Sequence, residues 1–251
     1  MNILDALDAA EGTTCLVGAG GKKTTLYALA NRLDRAILTA TVRIPIFDAR
    51  VASVRVTESP VAALRDLDAS ATEEGGSGDA FPLGLVPERE RDDRYLGYDP
   101  ATVDALAAAH DGPVLVKADG ARTRLLKAPA DHEPRIPPGA DTVVPVASVG
   151  AVGESLSAET VHRPERVAAI TDAAVGDEIT PELIGRVLAH EAGSLKRVPD
   201  GATPIPLVNA VDDAADEAVA REIAGVVHER ADVPRVVLAR MIDAAVVAVV
   251  S

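Results

Sequence analysis

The sequence predicts an α/β protein with a mainly parallel sheet and helices on both faces. Three observations lead there. Continuous apolar runs of strand length, TTCLVGA (13–19), GPVLVKADG (112–120) and DTVVPVAS (141–148), have the character of strands buried on both faces. They alternate with segments of helical spacing, as in a sheet whose parallel strands are joined by crossover helices. Polar residues collect directly after these runs, at the C-terminal ends of the strands, where open α/β sheets bind ligands.

The elements follow in order. Residues 3–10 (ILDALDAA) and 24–33 (TTLYALANRL) have helical spacing, and 36–44 (AILTATVRI) reads as a β-branched strand stopped by Pro45. A short helix is expected over 61–68 and a mobile loop over 69–80, where ASATEEGGSGDA has no apolar pattern. The charged stretch 84–100 precedes an Ala-rich helix over 101–110, and the proline-rich segment 121–138 reads as irregular. Residues 155–195 are mostly helical. There Thr180 followed by Pro181 fits an N-cap with proline at the first helical position. A strand over 203–212, a helix over 213–230 and closing strands near 235–241 and 243–250 complete the chain. Its length of 251 residues suits one domain, 1–251, in which 155–195 forms a small helical insertion or subdomain.

Composition narrows the function. Apolar residues make up 47%, enough for a full core, but aromatics are only 2%, so aliphatic side chains must fill it. The net charge of −14 argues against non-specific binding to nucleic acid or anionic lipid. An acidic, lysine-poor, Ala/Val-rich chain also points to a salt-adapted (halophilic) cytosol. Among 25 basic residues only Lys22, Lys23, Lys117, Lys127 and Lys196 are lysines, and four of them fall in two short stretches with chemical character. A lone cysteine, Cys15, allows no disulfide framework within the chain and reads as a buried small residue. No basic region followed by an apolar run opens the chain, and no uncharged apolar stretch reaches about 18 residues. The expected location is therefore cytoplasmic, with no membrane partner.

The first chemical motif is VGAGGKKTT (17–25). A strand, a glycine turn and a helix N-terminus bring several backbone N–H groups and partial positive charge to one point. This arrangement suits the phosphates of a nucleoside triphosphate, ATP or GTP, so the fold is expected to be like that of phosphate-loop NTPases. Gly18, Ala19, Gly20, Gly21, Lys22, Lys23, Thr24 and Thr25 are the candidate loop. The strict GxxxxGK[ST] spacing is absent, because Leu16 stands where its first glycine would fall. In one register Lys22 is the phosphate lysine and Thr24 or Thr25 holds Mg²⁺. In the other Lys23 is that lysine, followed by Thr24. Gly21 directly before Lys22 favours the first.

The second motif is VLVKADGAR (114–122), an apolar strand with an acidic exit. Asp119 is the candidate Mg²⁺ ligand beside Thr24. Arg122, Arg124 and Lys127 follow within eight residues as candidate contacts for phosphate charge. The third is PLVNAVDD (206–213), in which Asn209 and Asp212 have the spacing of a guanine-reading pair. Asp212 or Asp213 serves equally well as a helix cap.

Together these segments resemble the YqeC-type family, accessory proteins of selenium-dependent molybdenum hydroxylases. The resemblance is carried by VGAGGKKTTLYALA (17–30), TATVRIP (39–45), VKADGARTRLLKAPADHEPRIP (116–137), VHRPERV (161–167) and PLVNAVD (206–212). It implies a cytoplasmic phosphate-loop protein that uses a nucleotide to help mature a molybdenum hydroxylase or its molybdopterin-type cofactor. It also implies that His132 and Glu133 join Arg122 and Lys127 in one site segment, and that His162 and Arg163 belong to a later site element. Two departures stand out. Lys23 replaces the usual hydroxyl residue, and Lys117 stands where an acidic residue often precedes A-D-G.

Overall fold

The computed structural model describes residues 1–74 and 80–251. In chain order the elements are α1 (Ile3–Leu7), β1 (Thr13–Gly18), α2 (Lys22–Ala30), β2 (Ile37–Ala40), β3 (Ile44–Pro45), β4 (Ser53–Val56), α3 (Pro60–Glu74) and β5 (Leu83–Val86). Next come β6 (Arg89–Arg91), β7 (Arg94–Tyr95), α4 (Pro100–Ala108), β8 (Val114–Lys117), β9 (Leu126–Lys127) and β10 (Thr142–Ser148). The chain continues with β11 (Val161–His162), α5 (Pro164–Thr171), α6 (Pro181–Ala189) and β12 (Thr203–Pro204). It closes with β13 (Leu207–Asn209), α7 (Ala214–Arg230), β14 (Val236–Arg240) and β15 (Ala245–Val250).

The main sheet runs β15-β14-β13-β10-β1-β8-β2-β5-β4, with β12 also paired to β10. All its pairings are parallel except β14 with β15. Every residue of β1, including Cys15, is buried, as its unbroken apolar run requires. From β1 the chain leaves through α2 toward β2, beyond β8, whereas β10 lies on the other side of β1 and leads on to β13. The connections therefore diverge at the C-terminal ends of β1 and β10, the position at which open parallel sheets form a ligand crevice.

Local chemistry sets the helix ends. The Thr180 side chain accepts from the Leu183 N–H, and Pro181 opens α6. Asp213 caps α7 by accepting from the N–H groups of Ala215 and Asp216. Of the two acidic residues weighed for that role, it is Asp213 that fills it.

Several expectations are corrected. The helix read as 61–68 runs on to Glu74, so the first half of the expected loop at 69–80 is helical, and residues 75–79 lie outside the described residues. The run 36–44 breaks into β2 and β3, which belong to different sheets. Strands β4 and β5 were not legible. Each has four residues, and the Leu-Gly-Leu-Val of β5 is bracketed by Pro82 and Pro87. The 155–195 segment packs onto the rest of the chain. Ile184, Val187 and Leu188 of α6 share one apolar cluster with Val208 of β13 and with Ile223 and Val227 of α7. They form part of the helical layer on that face of the sheet.

Candidate functional site

The glycine turn after β1 is held from behind. Gly18, Gly20 and Gly21 have φ of +87°, +78° and +143°, angles that favour glycine. A Cβ on Gly20 would stand 2.6 Å from the Ser148 nitrogen and 2.7 Å from the Leu125 carbonyl oxygen, so the backbone there leaves no room for a side chain. The Gly18 N–H donates to Asp119 Oδ2 (2.9 Å), and those of Ala19 and Gly20 donate to the carbonyls of Val146 (2.8 Å) and Arg124 (2.9 Å). Three amides of the turn thus bind protein. The amides open to a ligand are those at the start of α2, because the N–H groups of a first helical turn have no intrahelical acceptor. Gly21, Lys22, Lys23 and Thr24 line the cleft in front of the turn. Thr25 is fully buried, and its hydroxyl donates to the Gly21 carbonyl (3.2 Å). Thr24 therefore carries the hydroxyl that faces the cleft.

Behind the turn lies a buried charge chain. Lys22 Nζ sits 2.9 Å from Asp119 Oδ1 and directs a hydrogen bond to the Gly18 carbonyl, leaving Oδ1 with an ion pair but no aligned hydrogen bond. Lys127 Nζ lies 2.8 Å from Asp119 Oδ2 and 2.8 Å from Glu133 Oε2. Arg163 Nη1 donates to the same Glu133 oxygen at 2.8 Å. Burial tends to raise the pKa of Asp119, but Lys22 and Lys127 outweigh it and hold the carboxyl below its ordinary range. Glu133 follows the same logic: burial raises it, Lys127 and Arg163 oppose, and the net shift is downward. Both carboxylates are ionised and neutralised from within the protein.

The cleft has a volume of about 1240 Å³. Lys22, Lys23, Lys117 and six arginines line it, and Glu133 is the sole carboxylate among its described lining residues. Arg122 is one of these arginines. Arg124 meets the glycine turn through its carbonyl, Arg163 pairs with Glu133, and Arg43, Arg94 and Arg135 come from the β2–β3 turn, β7 and the segment after Glu133. In a chain of net charge −14 this lining is locally cationic, although Lys22, Arg43, Arg94, Arg135 and Arg163 each pair with a carboxylate of the protein. His132 and His162 also line it. Burial, helped by Arg163 and Lys127, pulls the His162 pKa down to about 4, so its ring is neutral at pH 7.

Four expectations change here. Lys127 does not face the cleft; it is 2% exposed and serves as the internal counterion of Asp119 and Glu133. Asp119 is likewise walled off, behind Lys22. Asn209 is a strut: its Nδ2 donates to the Gly20 carbonyl (2.7 Å) and its Oδ1 accepts from the Met241 N–H (2.9 Å). Asp212 is exposed outside the cleft, its N–H donating to the Asp216 carboxylate (3.0 Å). Neither lines the cleft. No three His, Cys, Asp or Glu side chains gather into a metal set among the described residues, and the carboxylate nearest the turn is already neutralised by two lysines. Arg43, Arg94 and Arg135 were missed as site residues. Arg43 and Arg135 lie within the quoted segments TATVRIP and VKADGARTRLLKAPADHEPRIP, whereas Arg94, in β7, carried no signal.

Fold and site together define an α/β protein whose central parallel strand ends in a glycine turn facing a cationic cleft. A family model described as YqeC protein matches residues 14–165, and the chain belongs to that family. It is similar to the uncharacterized protein YqeC of Escherichia coli (strain K12), 28% identical over 199 residues, which span 77% of this chain and 74% of that protein. The family match takes in the glycine turn, the block 116–137 and the start of the HRP element, whereas Asn209 lies beyond it.

Proposed function

We propose that the protein binds a nucleoside triphosphate, with its phosphates on the first turn of α2. The observation that carries this reading is the opening of the Gly21, Lys22, Lys23 and Thr24 backbone onto a cleft whose nine cationic side chains face one carboxylate. Helix N-terminal amides and nearby cations are a general solution for phosphate oxygens. Lys22 closes the back of the turn on Asp119, while the half-buried Lys23 and Thr24 meet the ligand. The lysine that departs from the family pattern thus stands at the mouth of the site.

The cleft supports binding or group transfer better than rapid hydrolysis. The one carboxylate among its described lining residues, Glu133, is bonded to Lys127 and Arg163, so it is a poor acceptor for a proton from water. A cytoplasmic accessory role in maturing a molybdenum hydroxylase, with Mg²⁺ arriving on the nucleotide rather than resident in the protein, is the cellular reading. It rests on the family resemblance.

Calorimetry with ATP, GTP and their Mg²⁺ complexes tests the proposal. Wild type is expected to bind one nucleotide, and Lys23→Ala to weaken it by at least about tenfold, or about 1.4 kcal/mol. A folded wild type that binds no nucleotide rejects it.

A further inference from the structure

Lys117 is the exception among the buried lysines. Lys22 and Lys127 each rest on a carboxylate, but Lys117, 6% exposed at the end of β8, makes no ion pair among the described residues. Its Nζ donates to the Arg43 carbonyl (2.8 Å), and its side chain lines the cleft. A buried ammonium without a counterion costs stability; burial, reinforced by Lys22, accordingly lowers the Lys117 pKa to about 7, here on the wall of a cationic cleft.

The backbones of two cleft arginines are joined to the segment that carries it. The Thr41 N–H donates to the Lys117 carbonyl (3.1 Å), and the Thr41 hydroxyl donates to the Arg135 carbonyl (2.6 Å). The β2–β3 turn thereby joins the segments that carry Lys117, Arg43 and Arg135. The guanidinium groups of Arg43 and Arg135 pair with Glu90 and Asp99. The side chains of Arg43 and Asp99 are well exposed, at 60% and 78%, so neither pair is sealed from solvent. The single-contact Arg135–Asp99 pair is of a kind that contributes little, whereas Arg43 grips both oxygens of Glu90. The cleft, at about 1240 Å³, also exceeds the roughly 300–1,000 Å³ of a site for one small ligand.

We infer that the cleft holds a second anion subsite, floored by Lys117 and flanked by Arg43 and Arg135, which takes the phosphate group of a small-molecule co-ligand. Its place beside a nucleotide rests on the function proposed above; the subsite itself does not. Lys117 supplies a buried amine whose protonated form a bound anion would favour, and the arginine forks supply paired donors that match phosphate oxygens. A phosphorylated acceptor held there shares one cleft with the phosphates on α2.

The test is titration with inorganic phosphate, followed by ³¹P NMR and calorimetry, on wild type, Lys117→Met, Arg135→Gln, Lys117→Arg and Lys23→Ala. Two sites are expected in wild type. Lys117→Met and Arg135→Gln should each weaken one of them by about tenfold or more, and Lys117→Arg should largely restore it. Lys23→Ala should weaken only the other. A site that depends on Lys117 and Arg135 in a protein with no Lys23-dependent site retains the subsite and rejects the nucleotide reading. Phosphate binding indifferent to both Lys117→Met and Arg135→Gln overturns the subsite. Arg135 is half-buried, so its variant keeps the test readable if Lys117→Met fails to fold.

Discussion

Asn209, at the end of β13, donates from Nδ2 to the carbonyl of Gly20 at 2.7 Å, a bond that spans 189 residues of chain. Its Oδ1 accepts from the Met241 N–H at the end of β14, so one side chain ties two strand ends to the glycine turn. The amide nitrogen also occupies the space a Cβ on Gly21 would need, 2.2 Å away. Asn209→Ala removes both bonds and leaves the Gly20 carbonyl without its strut. The expected result is nucleotide binding weakened to a similar degree for ATP and GTP, read by calorimetry. A change in base preference at constant phosphate affinity would restore Asn209 to a base-reading role.

The buried charge chain makes a stability prediction. Lys127→Met leaves Asp119 and Glu133 without their shared cation, and breaking a buried pair from one side costs about 3–5 kcal/mol. Denaturant unfolding at pH 7 measures it, and a loss below about 1 kcal/mol would mean that Lys22 on Asp119 and Arg163 on Glu133 suffice to hold the two carboxylates.

The same chain sets an acid response. Both carboxyls have folded-state pKa values below their ordinary ones. The folded protein therefore binds fewer protons than the unfolded chain as pH falls, and stability declines. Their contribution is complete above the ordinary carboxylate range, near pH 4, and disappears as pH drops through the folded values. In Lys127→Met the depression shrinks, so acid unfolding should begin at higher pH than in wild type. Circular dichroism against pH reads the midpoint, and identical midpoints would show that Lys127 does not hold these carboxyls down.

Gly20→Ala tests the turn. The new Cβ meets the Ser148 nitrogen and the Leu125 carbonyl at φ +78°. Backbone must shift, so a loss of about 1–3 kcal/mol and a collapse of phosphate binding are expected together. A variant that keeps wild-type affinity would place the phosphates elsewhere in the cleft.

The net charge of −14 predicts a salt response. Screening relieves self-repulsion among the surface carboxylates, so the melting temperature should rise as potassium chloride is raised from low concentration into the molar range. A flat profile would remove the inference of a salt-adapted cytosol.

Much of the frame was legible because it depends on local pattern. The unbroken apolar runs of β1, β8 and β10 needed burial on both faces, and the Gly-Ala-Gly-Gly turn needed backbone angles that few other residues tolerate. The caps of α6 and α7 could be read from Thr180 and from the Asp212/Asp213 pair. Strands β4 and β5 could not. Four residues carry too little periodicity, and their burial is decided by the sheet into which they fit.

By itself the sequence determined the class of fold, the place of the glycine turn and the grouping of scarce lysines around it. Which polar groups remained free was decided by tertiary structure alone. Lys127 and Asp119 look like cleft residues in the chain, but Lys127 lies 2.8 Å from Glu133 and Asp119 is enclosed between two lysines. Asn209 resembles a reader of bases until Gly20 and Met241 are seen to engage it. Arg43, Arg94 and Arg135 share a cleft although their positions in the chain are widely separated. Charge and hydrogen-bonding capacity are properties of a residue, but whether they are already satisfied depends on neighbours that only the packed sheet brings together.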